Sequence, residues 1–354
     1  MTRNTNRIAI LSPIAWRTPP RHYGAWETVA SNITEGLVAR GWDVTLFATK
    51  DSITSARLHA VVERGYEEDP TQDPKVSEYL HISEVFEHAA EFDLIHSHYD
   101  FMALSYSRLV PTPVLTTIHG FSSPRIMPAY EKYREGNFVS ISHADRAPEL
   151  TYLGTVYNGI DLNLYPFQER PGENLVFLGR IHPDKGVHLA IEVAQRSGRT
   201  LLIGGIIQDQ AYFRDHVEPH LGETIRYLGP LDVAGKNQLF ANASALLHLN
   251  TIPERFGLVM AEANAAGVPV IAMDLGSCRE VIDHSETGFL VHSVTEAVAA
   301  LALLPRIDRH YCRRRVAEYF SIDAMVRAYE QVYRVILSRT EIRQSNVHAR
   351  SARV

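Results

Sequence analysis

Short, continuous apolar runs alternate along this chain with segments whose apolar positions recur every three or four residues. Arg7-Ile8-Ala9-Ile10-Leu11-Ser12 is a run of the first kind, suited to a strand covered on both faces. After a loop holding Pro13, Pro19 and Pro20, the stretch Trp26 to Arg40 carries Val29, Ile33 and Leu37 at helical spacing and stops at Gly41. Further strands are predicted at Asp43 to Ala48, Asp93 to Ser97, Val114 to Ile118 and Phe138 to Ile141. Strands alternating with helices predict a parallel sheet with helices on both faces.

The second half restarts the same pattern. Leu175 to Leu178, Thr200 to Ile203, Ala245 to Leu249 and Val268 to Ala272 read as strands, and Val187 to Gln195 as a helix. Between the halves, Tyr157-Asn158-Gly159-Ile160-Asp161 with Pro166 and Pro171 gathers turn formers and marks an interdomain linker. The expected fold class is α/β, with two doubly wound domains facing each other. Ligands of such sheets bind outside the carboxyl ends of the strands, so a crevice is expected there. The end of the chain is polar and repetitive in Arg and Ser, and disorder is expected.

Composition narrows the function. With 354 residues the chain has room for two domain cores. A net charge of −6 argues against nucleic acid as the partner. Arg306, Arg309, Arg313, Arg314 and Arg315 cluster late in the chain, and a solvated helix face is expected there rather than a membrane patch. Cys278 and Cys312 form no metal-type pair and no disulfide framework. Met1 to Arg7 is polar, without a signal-peptide core, and no apolar run is long enough to span a bilayer. A soluble, cytoplasmic protein is expected, with at most peripheral membrane contact.

Three stretches carry candidate chemistry. In Pro253-Glu254-Arg255-Phe256-Gly257-Leu258-Val259-Met260-Ala261-Glu262, a helix beginning near Phe256 would leave Glu254 in the loop before it and Glu262 two turns in. A helix start offers unpaired N–H groups to a diphosphate, and Gly257 lets the backbone come close. The carboxylates of Glu254 and Glu262 then suit hydroxyls of a sugar and a ribose. The alternative is that Glu254 complements the helix dipole and Glu262 is solvated. In Gly179-Arg180-Ile181-His182-Pro183-Asp184-Lys185-Gly186, Arg180 and Lys185 can converge on a phosphate pair, or belong to an ordinary surface loop. In Tyr23-Gly24-Ala25-Trp26-Glu27, Gly24 can bring backbone N–H groups to a phosphate, or simply start a helix. No G-x-G-x-x-G follows the first strand. His96 and His98 share one face of a strand, but no third metal ligand accompanies them, so no metal is expected.

Together these stretches resemble the retaining glycosyltransferases of family 4, which have the GT-B fold of two Rossmann-like domains. The resemblance covers nearly the whole chain. It rests on the Glu-x7-Glu motif at Glu254 and Glu262, the Gly-Arg…Lys-Gly loop, Asn158-Gly159-Ile160-Asp161, Gly267 to Ala272 and Gly288 to Val291. Two departures stand out. The family's glycine pair is Gly24-Ala25 here, and Asp184 stands where the family usually has Glu.

The resemblance implies an acceptor-side domain over 1–158, with a helix at about 322–338 packing back on it, and a donor-binding domain over 159–321. A tail over 339–354 completes the division. It also implies that Arg180, Lys185 and the amides of Leu258 and Val259 neutralise a diphosphate. Glu262 would hold the ribose, and Glu254 with the Phe256-Gly257 backbone the donor sugar. His119, at the end of a first-domain strand, would contact that sugar. The implied reaction is retaining and metal-independent, moving a hexose from a nucleotide-diphosphate sugar to an unidentified hydroxyl acceptor. UDP-glucose is the expected donor, with no cofactor. Acceptor recognition is expected between about Ile53 and Tyr133. The weighed alternatives are a pseudo-glycosyltransferase or non-catalytic nucleotide-sugar-binding subunit, a sugar-nucleotide epimerase, and a phosphorylase dependent on pyridoxal phosphate. The last lacks a clear Schiff-base lysine.

Overall fold

A computed structural model describes residues 6–121 and 123–351, with side chains to residue 340. The expectations for Met1 to Thr5 and for residues 352–354 lie outside the described residues. The chain divides into two compact units. The first comprises residues 1–141, 146–159 and 322–354, and the second residues 142–145 and 160–321.

In the first unit the strands are β1 (Arg7–Leu11), β2 (Asp43–Phe47), β3 (Arg57–His59), β4 (Leu94–Ser97), β5 (Val114–Ile118), β6 (Asn137–Ser140) and β7 (Gly154–Thr155). They form one parallel sheet in the order β3-β2-β1-β4-β5-β6-β7. The second unit holds β8 (Asn174–Leu178), β9 (Leu201–Gly204), β10 (Ile225–Tyr227), β11 (Ala243–His248), β12 (Val270–Met273) and β13 (Gly288–Val291). Their order, β10-β9-β8-β11-β12-β13, repeats that of the first six strands and is again all parallel. Both sheets therefore reverse direction between their first and fourth strands. At that switch point the two flanking loops diverge and leave room for a ligand.

Burial explains why the apolar runs read so well. Ile8 to Leu11 and Leu246 to Leu247 are closed off on both faces, so their strands need no polar side. The short edge strand β3, Arg-Leu-His, has no such run and is absent from the sequence pattern. The helix Pro74–Glu87 is absent from it too, because its inner face mixes Ser77 and His81 with Ile82, Val85 and Phe86.

Two other expectations change. Of the late arginines, Arg306 and Arg314 are exposed as expected, but Arg309, Arg313 and Arg315 are not part of a solvated face. Arg313 donates to the carbonyls of Leu162 at 3.0 Å and Tyr165 at 2.7 Å, and to that of Ala265. Arg309 donates to Gln168 O at 2.8 Å and Arg315 to Glu280 O at 3.1 Å. Carbonyls at loop and helix ends keep spare acceptor capacity, and guanidinium forks fill it. Second, the last helix runs Ile322–Ser351, through most of the segment expected to be disordered. From Ser338 to Ser351 no Gly or Pro interrupts it, and Arg, Gln, Glu and Ala favour helix.

That helix is part of the first unit. Val326 packs where a side chain on Gly36 would clash, at 2.5 Å. Tyr333 and Tyr329, both fully buried, place their hydroxyls 2.7 Å from His96 Nδ1 and 2.8 Å from Thr117 Oγ1. Replacing Tyr333 with Ala removes a buried ring and strands a buried imidazole nitrogen. The expected cost is about 3–5 kcal/mol, read as a lowered midpoint for the first unit in urea denaturation. Tyr333→Phe, which keeps the ring, should lose less than half of that.

Candidate functional site

In the second unit, the loops after β8, β11 and β12 meet at the switch point. The loop after β8 ends in Lys185, whose Nζ lies 2.7 Å from Glu254 Oε2. Glu254 stands in the loop after β11. His248 Nε2 lies 3.0 Å from the same oxygen, Asn250 Nδ2 donates to it, and Arg255 N donates to Oε1 at 3.0 Å. The segment after β12 fixes the Glu254 backbone, with Ser277 N donating to Glu254 O at 3.0 Å. Burial would raise the Glu254 carboxyl, but the His248 hydrogen bond and the Lys185 charge outweigh it and hold the acid well below the usual carboxylate range. Glu254 is thus a buried carboxylate that stays ionised.

Three residues later Gly257, at φ 81°, turns the chain into the helix Leu258–Ala265. A β-carbon at Gly257 would sit 2.4 Å from the Met260 methyl group and in a strained conformation, so glycine is required. The helix starts two residues later than expected, because this left-handed turn has to be completed first. Glu262 therefore lies about one turn in rather than two. Its carboxylate takes Lys236 Nζ at 2.9 and 3.1 Å. Glu262 is buried rather than solvated, and Glu262 adds to the effect of burial in pushing the Tyr165 phenol up. Arg313, through Ala265 O, holds the far end of the same helix. Arg180 is engaged by Gln208. Phe256 is buried edge-to-face on Phe320, ring centroids 5.7 Å apart.

The switch point of the first unit opens into a cavity of about 330 Å³. Trp16, Tyr23 and Trp26 from the loop and helix after β1, and Tyr99 and Asp100 from the loop after β4, help to line it. Gly24, at φ 145°, starts the helix Ala25–Ala39, and a β-carbon there would meet Glu27 Oε2 and Pro20 Cβ, each at 2.9 Å. His119 follows β5 directly and stacks on Trp26 at 5.4 Å, with Nε2 3.0 Å from His98 Nδ1. Burial lowers the His119 imidazole to about 3, so the ring is neutral. Both ring nitrogens of His96 are taken by hydroxyls, of Tyr333 and Thr117, each at 2.7 Å.

Sequence reasoning brought Glu254, Lys185, Gly257 and the helix start together, and missed their partners. Lys236 has no spacing relation to Glu262 that a sequence reveals. His248 and Asn250 did offer a signal, as alternate polar residues at the carboxyl end of a buried strand. Glu27 offered one too. It falls on the apolar stripe with Ala30, Ile33 and Leu37, and a carboxyl on such a stripe is buried.

Two positively charged side chains, a helix start and buried carboxylates at one switch point form a place for a ligand carrying both anionic and hydroxyl groups. Set in two units that share the order of six parallel strands, this is the architecture of a GT-B glycosyltransferase. Residues 168–315 match the family model for glycosyl transferases group 1, and residues 26–148 that for glycosyltransferase family 4. The chain belongs to the family 4 glycosyltransferases. The glycogen synthase of Mycobacterium tuberculosis is 25% identical over 390 residues, covering 90% of this chain and 93% of that one. The phosphatidyl-myo-inositol mannosyltransferase of Mycobacterium leprae is 27% identical over 257 residues, covering 64% of this chain and 67% of the relative. Among solved structures, Anabaena HepE in complex with UDP-glucose superposes with a TM-score of 0.69 at 19% identity, covering 94% of this chain and all of that one.

One consequence can be read without a substrate. Burial raises the Glu27 carboxyl to about 7, against the opposing effect of N–H groups of Glu27 and Trp16. The folded-state value lies above the unfolded one. Its contribution is therefore fully present below about pH 4.5 and is lost as pH rises through about 7. Relative to wild type, Glu27→Gln should gain up to about 3 kcal/mol between about pH 5 and pH 8, at about 1.4 kcal/mol per pKa unit. Urea denaturation at both pH values measures it, and an unchanged difference would contradict a neutral buried acid.

Proposed function

We propose that this glycosyltransferase moves a hexose from a nucleotide-diphosphate sugar, UDP-glucose in the first instance, to an acceptor hydroxyl with retention and without a divalent metal. The observation that carries it is the ionised Glu254, tied to Lys185 beside the helix start at Gly257. A permanent carboxylate next to an anion seat is paradoxical for a ligand that is only a phosphate. It makes sense for one presenting sugar hydroxyls beside a diphosphate. HepE, solved with UDP-glucose, and the relative named a glycogen synthase support this donor class.

In this reading, Lys185 and Arg180 receive the diphosphate together with the amides of Leu258 and Val259. Glu262 accepts from the ribose hydroxyls, and Glu254 with the Phe256-Gly257 backbone from those of the donor sugar. Gly24 and His119 belong to the same donor reading from the first unit. As the bond from the anomeric carbon to phosphate oxygen breaks, charge grows on the diphosphate, where fixed cations stabilise it most. The departing oxygen takes the acceptor proton as the acceptor oxygen bonds to the anomeric carbon on the same face. No second carboxylate nucleophile is required, unlike in retaining glycosidases. No Asp-x-Asp occurs in the sequence, and Arg180, Lys185 and the helix start supply positive charge in place of a cation. The aromatic and carboxylate lining of the first unit's cavity suits an acceptor with hydroxyls on an apolar ring face.

The glutamates separate two roles. Glu254→Ala should lower kcat by about 100-fold or more, because the sugar it orients reacts. Glu262→Ala should chiefly raise KM for the donor, because the ribose is remote from the bond broken. Initial rates with UDP-glucose, including its slow hydrolysis without acceptor, measure both, and wild-type rates in both variants would sink the assignment. Retention has its own test. The product's anomeric proton coupling in NMR should match that of the donor, and inversion would exclude the same-face path.

A further inference from the structure

Away from both switch points, on the edge of the first unit's sheet, two imidazoles converge on one carboxylate oxygen. His59 ends the edge strand β3, Glu84 lies on the helix Pro74–Glu87, and His88 follows that helix. Glu84 Oε1 is 2.7 Å from His59 Nε2 and 3.2 Å from His88 Nε2. One ligand atom from each of the three residues lies within 4.8 Å of the other two. A tetrahedral ion with bonds of 2.0–2.1 Å keeps its ligand atoms about 3.3 Å apart. The three groups are half-buried, so water can occupy a fourth position.

Both rings are held in the orientation a metal would need. His88 Nδ1 is paired with Glu91 Oε1 at 2.7 Å, which leaves Nε2 turned toward Glu84. Metal-bound histidines are oriented in this way by a carboxylate on the other nitrogen. The His59 ring stacks on buried Phe47, centroids 4.7 Å apart, and lies 5.1 Å from the His88 ring. Metal binding takes the imidazoles in their deprotonated form, and Glu84 and Glu91 then supply two negative charges, the balance for a divalent cation. Nitrogen donors with one oxygen favour zinc or its neighbours over magnesium or calcium.

We propose that His59, Glu84 and His88 form a structural zinc-type site that clips the edge strand β3 to the helix Pro74–Glu87, with Glu91 orienting His88. Strand β3 has three residues and pairs on one side only, with β2. A bond from its last residue to a helix compensates for that short ladder. The clip uses none of the residues assigned to the donor, so its role is stability rather than transfer.

The test uses tag-free full-length protein, stripped with EDTA, desalted and titrated with zinc chloride by calorimetry. One equivalent should bind, and zinc should raise the thermal transition. His59→Ala and His88→Gln should weaken binding at least about tenfold and abolish the thermal shift, and Glu91→Gln should weaken it about 10- to 100-fold. Transfer by the stripped wild type should be unchanged. Absence of zinc binding in the wild type, or equal binding in His59→Ala and His88→Gln, would overturn the site. Loss of transfer in EDTA, rescued by zinc in wild type and His59→Ala alike, would instead sink the metal-free account of the leaving group. The isotherms would still decide the clip.

Discussion

The second unit is organised around keeping one buried carboxylate ionised. Glu254 is 9% exposed, and an unpaired charge at that depth costs several kcal/mol. Its partners come from three directions: Lys185 after β8, His248 and Asn250 at and after β11, and the turn around Ser277 after β12. Only a parallel sheet that reverses direction beside these loops can deliver all three to one point. The same reversal sets the helix Leu258–Ala265 with its start at the ligand position. Glu254 is therefore both a cost to the fold and the group around which a polyhydroxyl ligand is recognised.

The first unit repeats the strand order but fills its switch point differently. There the groups are aromatic rings and carboxyls: Trp16, Tyr23 and Trp26, with Asp100 and Glu27, the latter raised by burial to about 7, and nearby an uncharged His119. One unit thus presents fixed positive charge, and the cavity of the other a stacking surface with carboxyls and no Lys or Arg among its described lining residues. That division suits a reaction in which one substrate carries a diphosphate and the other need carry none.

Much of this was legible in the residues, and the failures have physical causes. Strands buried on both faces, such as Ile8 to Leu11 of β1, announce themselves because nothing polar interrupts them. The edge strand β3 and the half-polar helix Pro74–Glu87 do not, because their surroundings rather than their own apolar content decide their form. The glutamates and Lys185 were found through motif and spacing. Lys236 was not, since only the sheet brings it to Glu262. The arginines misled for the opposite reason. Clustered charge suggests water, yet a guanidinium can satisfy several carbonyls at once, and Arg313 joins three.

The helix Ile322–Ser351 has a consequence in time as well as in space. It belongs to the first unit but is made after the whole of the second. Apart from residues 142–145, the second unit is one uninterrupted stretch and can close as soon as residue 321 has left the ribosome. The first unit, begun earlier, must wait for Tyr329 and Tyr333 before His96 and Thr117 have their partners. The usual order of synthesis, in which the N-terminal domain matures first, is thereby inverted, and a sheet still lacking this helix is what a nascent-chain chaperone would meet.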